Sequence, residues 1–165
     1  MLTDPYLKIV SEFNKKGVEY IVVGVSGVNY YAHNARQIIM TGDYDVFIKP
    51  EPKNVFKALK ILKEMKYSLI AGETVLKPID EKTAQELANN RKTITCESYY
   101  HNIIELCLDV SGFTFETLQK NVKVFKAGKE KICVAKLRDL LKMKEIADRP
   151  KDRMFLQKYS DLLKE

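Results

Sequence analysis

The sequence is poor in the groups that most often mark a zinc centre, a nucleophilic hydrolase or a membrane-bound chain. Its three cysteines, Cys96, Cys107 and Cys133, are odd in number, far apart and outside any Cys-x-x-Cys or Cys/His spacing, which argues against a zinc site. The two histidines, His33 and His101, lack ligand spacing to each other or to cysteine. No serine stands in a nucleophile elbow with a paired histidine, so serine-hydrolase chemistry is set aside. No apolar run is long enough to cross a bilayer, and Met1-Leu2-Thr3-Asp4-Pro5 leads straight into a charged amphipathic pattern without a signal-peptide core. These absences point to a reducing cytoplasm and no membrane partner. There is no internal repeat.

What is present is ordinary for a soluble protein. The 165 residues are 45% hydrophobic and 30% charged, enough apolar surface to offset chain ordering in one domain spanning 1–165. Lys and Arg outnumber Asp and Glu by 28 to 22, a net charge of +6. That field favours anionic, phosphate-bearing partners, although a solvated lysine-rich surface gives the same balance.

Asp4-Pro5 pairs an N-cap residue with proline at the first helical position, and Tyr6, Ile9, Val10 and Phe13 follow at helical spacing up to Gly17. Residues 18–23 predict a buried strand ending at Gly24, and residues 24–35 a glycine-containing turn into a short helix. A second strand is expected over 43–48, closed by Lys49-Pro50. Pro52 opens a helix with Val55, Phe56, Leu59, Leu62 and Met65 on one stripe. A strand at 67–70 precedes a polar stretch, 71–90, expected as a variable insertion with a short helix near 81–88. Strands are expected over 92–97 and 103–110, a short helix over 113–119, and a hairpin of 122–125 with 131–134 turned at Ala127-Gly128-Lys129. The last third reads as helices broken at Arg149-Pro150. The fold class expected is therefore α+β, a mixed β-sheet flanked by helices, with C-terminal helices.

Strand alternation places Asp43, Asp45 and Phe47 on one face and Tyr44, Val46 and Ile48 on the other. In the same way Glu105, Cys107 and Asp109 oppose Ile104, Leu106, Leu108 and Val110. Nucleotidyl transfer needs hard oxygen ligands that hold Mg²⁺ close to a triphosphate. Two carboxylates at i and i+2 sit about 7 Å apart along a strand and can bridge one ion or a close pair, and a third acid from a neighbouring strand would complete the set. Alone, Asp-x-Asp is short, and an exposed pair at a strand end is the plain alternative. Some twenty residues upstream, however, lies Gly24-Val25-Ser26-Gly27, a small-residue turn whose N–H groups suit phosphate at a helix start.

The order of these pieces resembles the nucleotidyltransferase superfamily of polymerase-β-like and antitoxin-associated minimal enzymes. Those proteins carry a strand, a Gly-Gly or Gly-Ser turn, a short helix, an Asp-x-Asp strand and a third carboxylate on a later strand. The match is closest to a bacterial and archaeal subgroup, through Val23-Gly24-Val25-Ser26-Gly27-Val28, then Arg36, Thr41, Asp43 and Asp45, then Ile104-Glu105-Leu106 and Gly112-Phe113. The tail from Leu140-Leu141-Lys142-Met143-Lys144 to Arg149-Pro150-Lys151-Asp152 looks like that subgroup's closing pattern. The resemblance implies a nucleotidyltransferase-like sheet in which Asp43, Asp45 and Glu105 are catalytic and bind the metal. It also implies that Gly24, Ser26 and Lys144 bind the nucleotide. Departures are Val25 for the second glycine, four residues between Arg36 and Thr41 instead of one, and Glu105 where aspartate is usual. Asp109 competes with Glu105 as third acid.

Other residues carry two readings each. Lys144 either approaches substrate phosphates or snorkels from an apolar helix face. Arg149 and Asp152 suit a local ion pair that fixes the turn between the last helices. Tyr30, Tyr31, Tyr99 and Tyr100 either stack on a nucleobase or pack in the core and rim. The function expected from the resemblance is Mg²⁺-dependent transfer of a nucleoside monophosphate from an NTP to an acceptor, whether RNA, protein or small molecule. The alternatives are an inactive nucleotide- or partner-binding module of the same fold, and a toxin–antitoxin toxin that modifies RNA.

Overall fold

The first helix, α1 (Pro5–Lys16), starts where the sequence places it: the Asp4 side chain accepts the Tyr6 N–H at 2.9 Å and Pro5 occupies the first turn. Gly17 ends it at φ 72°, a left-handed conformation that glycine adopts without side-chain strain. Ile9, Val10 and Phe13 are its buried stripe, each stabilising the fold by about 1.5–3 kcal/mol through burial. The computed structural model describes residues 4–164, and all that follows concerns them.

The chain continues through β1 (Tyr20–Val23), the short helix α2 (Gly24–Asn29), a 3₁₀ turn (Ala35–Gln37), β2 (Asp43–Ile48), α3 (Pro52–Glu64), β3 (Ser68–Ala71), β4 (Thr74–Val75) and α4 (Glu81–Asn90). There follow β5 (Ile94–Glu97), β6 (Ile103–Cys107), α5 (Phe115–Gln119), β7 (Lys123–Ala127), β8 (Glu130–Val134), α6 (Leu137–Ala147) and α7 (Pro150–Lys164). The strands form one sheet in the order β4-β3-β5-β6-β2-β1-β8-β7. Within it β2 runs parallel to β6, β1 runs parallel to β8, and the other neighbours are antiparallel. This is the α+β class with a mixed sheet and C-terminal helices.

Register sorts the faces. Tyr44 and Val46 of β2 lie opposite Ile104 and Leu106 of β6, which lie opposite Cys96 and Ile94 of β5, and all six are buried. Tyr6 of α1 stacks on Tyr44 from this side, rings 4.6 Å apart, and α3 packs between α1 and α4. On the other face Phe115 of α5 meets Phe47 edge to face at 5.4 Å. There too Leu140 of α6 closes on α2, where a Cβ on Gly27 would lie only 3.2 Å from it.

Several expectations shift, among them the starts of β5 at Ile94 and α5 at Phe115. The stretch 71–90 is built into the fold: β4 extends the sheet edge, and α4 buries Ala84, Leu87 and Ala88 beside α3. A two-residue strand has no periodicity to read, and an alanine-rich stripe is faint. The strand expected over 103–110 stops at Cys107, because the chain turns through Gly112 at φ 83° with Val110 bridged to Phe113. The strand expected from residue 18 begins at Tyr20. No described helix is long and apolar enough to cross a membrane.

Candidate active site

Parallel pairing of β2 with β6 sets Asp45 opposite Glu105, with Asp43 two residues before Asp45 on the same face. The hydroxyl of Thr95, opposite Glu105 on β5, donates to the Glu105 carboxylate, 3.1 and 3.0 Å from its two oxygens. Asp43 accepts from the Thr41 hydroxyl at 3.0 Å. Gly24, the first residue of α2, lies against Asp45 at φ 65°, and a Cβ there would overlap Asp45 Oδ2. Ser26 ties α2 to this strand: its hydroxyl donates to the Val23 carbonyl at 2.9 Å and accepts the Asp45 N–H at 3.0 Å.

Basic groups meet the acids from the turn between α6 and α7. The Asp45 carboxyl is pushed up to about 7, first by burial and then by Asp43 and Glu105, against the opposing pull of Lys144 and Lys151. Glu105 is raised by burial and by Asp43, while the Thr95 hydrogen bond and Lys151 lower it. Cys107, on the same face, is pushed up to about 12 by burial and the three acids, so its thiol stays protonated. Lys144 Nζ lies 3.3 Å from Asp152 Oδ1 and 5.2 Å from the Phe155 ring centroid. Burial opposes the charge of Asp152, but hydrogen bonds from Arg149 (Nε at 2.7 Å, N–H at 3.2 Å) and the Lys144 charge hold it below the usual carboxylate range. Arg149 and Asp152 thus form the local pair that their spacing suggested.

The fold therefore brings Asp43, Asp45, Glu105 and Gly24 together on one side of the sheet, with Lys144 near enough to act on Asp45. Ser26 is adjacent but buried, and its hydroxyl is engaged by main-chain groups on both sides; it positions Asp45 instead of facing the cleft. Asp109 is exposed and lines a separate cavity with Lys49 and Pro50, at the far end of β2 from Asp43. His101 is paired with Glu97 at 2.7 Å. Tyr30 and Tyr44 share a hydroxyl contact at 2.6 Å, and Tyr31 donates to the Ala135 carbonyl at 2.7 Å, so the hydroxyls of both tyrosines after α2 are engaged within the fold. Tyr99 and Tyr100 are exposed on the β5–β6 hairpin.

Two participants escaped the sequence reading. Lys151 stood in the closing pattern without a role, and its only signal was its place beside Pro150 at the start of a helix. Thr95 was legible only as the residue two before Glu97 on a strand of unknown partner.

Oxygen donors of the right hardness for Mg²⁺ are present in Asp43 and Asp45, and the overlap that a Gly24 side chain would cause keeps main chain close to Asp45. Among the described residues, no group of three His, Cys, Asp or Glu side chains is disposed to hold one metal ion. Glu105 and Asp43 are each held by a threonine hydroxyl, Thr95 and Thr41, which orients their carboxylates.

No protein-family description matches the chain, and no curated protein matches it. Its fold is similar to that of an antigenic nucleotidyltransferase-like protein from Paracoccidioides brasiliensis. The likeness covers 94% of this chain and 72% of that one, with a TM-score of 0.54 and 8% sequence identity. At that identity the likeness is one of fold.

Proposed function

We propose that the chain is a Mg²⁺-dependent nucleotidyltransferase that moves a nucleoside monophosphate from an NTP to a hydroxyl or phosphate acceptor and releases pyrophosphate. The observation that carries this reading is the alignment of Asp45 with Glu105 across parallel strands, Asp43 beside them, opposite Lys144 and Lys151. Asp43 and Asp45 would hold the ion, with Glu105 beside them on the neighbouring strand. When bound, Mg²⁺ supplies neutralisation of phosphate charge and polarisation of phosphoryl oxygens. The elevated proton affinity of Asp45 is the repulsion that a cation relieves.

The remaining work belongs to side chains. Glu105, raised by burial and held by Thr95, takes the proton of the acceptor hydroxyl. The acceptor oxygen bonds to the α-phosphorus as the bond to the bridging oxygen of pyrophosphate breaks, and that oxygen keeps the electron pair. Lys144 and Lys151 face the negative charge that the leaving pyrophosphate gathers. Gly24 allows the start of α2 to approach the phosphates.

Transfer of label from an α-labelled NTP to RNA, protein and small-molecule acceptors, with Mg²⁺ and with chelator, tests this. Asp43→Asn and Asp45→Asn are expected to retain the fold and drop transfer below about a hundredth of wild type; full transfer in either variant overturns the assignment. A second reading, a nucleotide-binding module without turnover, is favoured by Val25, which stands in the first turn of α2 where the resemblance expects a second glycine. Calorimetry separates the two: Mg²⁺-dependent NTP binding with no transfer to any acceptor supports the module.

A further inference from the structure

Away from the acids, a cavity of about 330 Å³ opens between the end of α7, the start of α6, the segment after α2 and the edge strand β7. That volume lies at the small end of the range of ligand sites, about 300–1,000 Å³. Val28, Leu137 and Leu162 give it apolar walls, and Tyr31, Phe125 and Tyr159 give it aromatic ones. Tyr31 and Phe125 meet edge to face at 5.0 Å. Lys123 Nζ lies 5.0 Å from the Phe125 centroid and 5.4 Å from that of Tyr31, an arrangement in which both rings hold the ammonium at the cavity.

The polar inventory is one-sided. The Tyr31 hydroxyl is spent on the Ala135 carbonyl and that of Tyr30 on Tyr44. Gln37 Oε1 accepts the His33 N–H at 2.9 Å, which leaves the Gln37 amide as a donor. Lys123 and the His33 ring complete the lining's nitrogen groups, and among the described residues no acidic side chain lines the cavity. Aromatic walls favour a flat ring, and a cation with neighbouring donors and no competing carboxylate favours one anionic group.

We propose that this cavity binds an aromatic ligand bearing a single phosphate group, of nucleoside monophosphate size, its base against the aromatic walls and its phosphate at Lys123. The site is separate from the acid cleft. Along α7, Lys151 faces the acids and Tyr159 lines the cavity, about 12 Å apart at the helical rise. Binding therefore requires neither Asp43 nor a divalent ion, and the site stands whether or not the chain transfers nucleotides.

Calorimetry with 5′-AMP in chelator tests it, with adenosine and ribose 5-phosphate as probes of the ring and the anion alone. Expected are saturable 5′-AMP binding at submillimolar concentration, each half-ligand at least about tenfold weaker, and unaltered binding by Asp43→Asn. Lys123→Glu, on an exposed edge strand, should weaken 5′-AMP at least about tenfold, and Lys123→Gln, which keeps the aliphatic stem, should weaken it less. Absence of binding at millimolar 5′-AMP overturns the proposal, as does equal affinity for ribose 5-phosphate or indifference to Lys123→Glu. Loss of binding in Asp43→Asn also overturns it, by placing the nucleotide in the acid cleft.

Discussion

Asp45→Asn should make the protein more stable while removing its activity. The carboxyl is held at about 7 where an unperturbed one titrates near 3.8, because burial and two like charges disfavour its ionised form. The sign follows from proton binding. Below about pH 4 the group is protonated in folded and unfolded chains alike and contributes nothing; between about 4 and 7 the unfolded chain ionises while the folded one resists; above about 7 the full penalty applies. Ionised Asp45 therefore lowers stability as pH rises through that window. The full difference corresponds to about 4 kcal/mol, and partial access of water reduces it to about 2 kcal/mol. Asparagine keeps the shape and the main-chain N–H bond to Ser26 Oγ and cannot ionise. Urea unfolding in chelator should show Asp45→Asn more stable than wild type by about 2 kcal/mol at pH 8, with the gap closing by pH 4.5. A variant no more stable than wild type at pH 8, or a gap that persists unchanged at pH 4.5, would refute the electrostatic account of the cleft.

Other perturbations separate position from chemistry. Gly24→Ala and Gly17→Ala both put a side chain on a left-handed residue, at φ 65° and 72°; Gly17→Ala, with open space around it, should cost about 1 kcal/mol in thermal or urea unfolding, and Gly24→Ala more. Only Gly24→Ala drives a Cβ into Asp45, so it alone should also abolish transfer; equal activity in the two variants would contradict the close approach. Thr95→Val removes a hydrogen bond that lowers the Glu105 carboxyl, so the acidic limb of the pH–rate profile should move to higher pH, with little change at pH 8. An unmoved limb would exclude Glu105 as the base. Asp152→Ala strands Lys144 and Arg149 without their buried partner and should cost about 3 kcal/mol in urea unfolding; a neutral result would mean the turn is held by packing alone.

The local features were the legible ones. Asp4 and Pro5 start α1, Pro52 starts α3, and alternation along 43–48 assigns each side chain of β2 to its observed face. What decides the site is nonlocal. The resemblance already preferred Glu105 to Asp109, but what sets Glu105 against Asp45 is the parallel register, and no periodicity within either strand encodes it. Thr95 enters through a second register, β5 on β6. The resemblance made Ser26 a nucleotide-binding residue, yet its hydroxyl is buried and spent on main-chain groups. Lys151 depends on how α7 leaves the Asp148 turn, where φ is 48° in a non-glycine residue, a conformation that the sequence does not announce.

That turn explains how the chain tolerates its acids. Three carboxylates on one sheet face repel each other, and β-strands alone offer them no counter-charge. The counter-charge arrives from the other end of the sequence, in Lys144 near the end of α6 and Lys151 at the start of α7. Their placement is fixed by Asp152, which binds Lys144 and Arg149 together, and by Arg153, whose Nε reaches Asp148 Oδ1 at 2.7 Å. The Asp152 pair is buried on its acid side, whereas Asp148 and Arg153 are both largely exposed, so the first holds the turn and the second adds little. Loosening Asp152 should therefore raise the Asp45 carboxyl further, because the lysines that restrain it would withdraw. The acid strands and the basic turn are thus one electrostatic unit assembled from distant segments, and a change in either is read in the other.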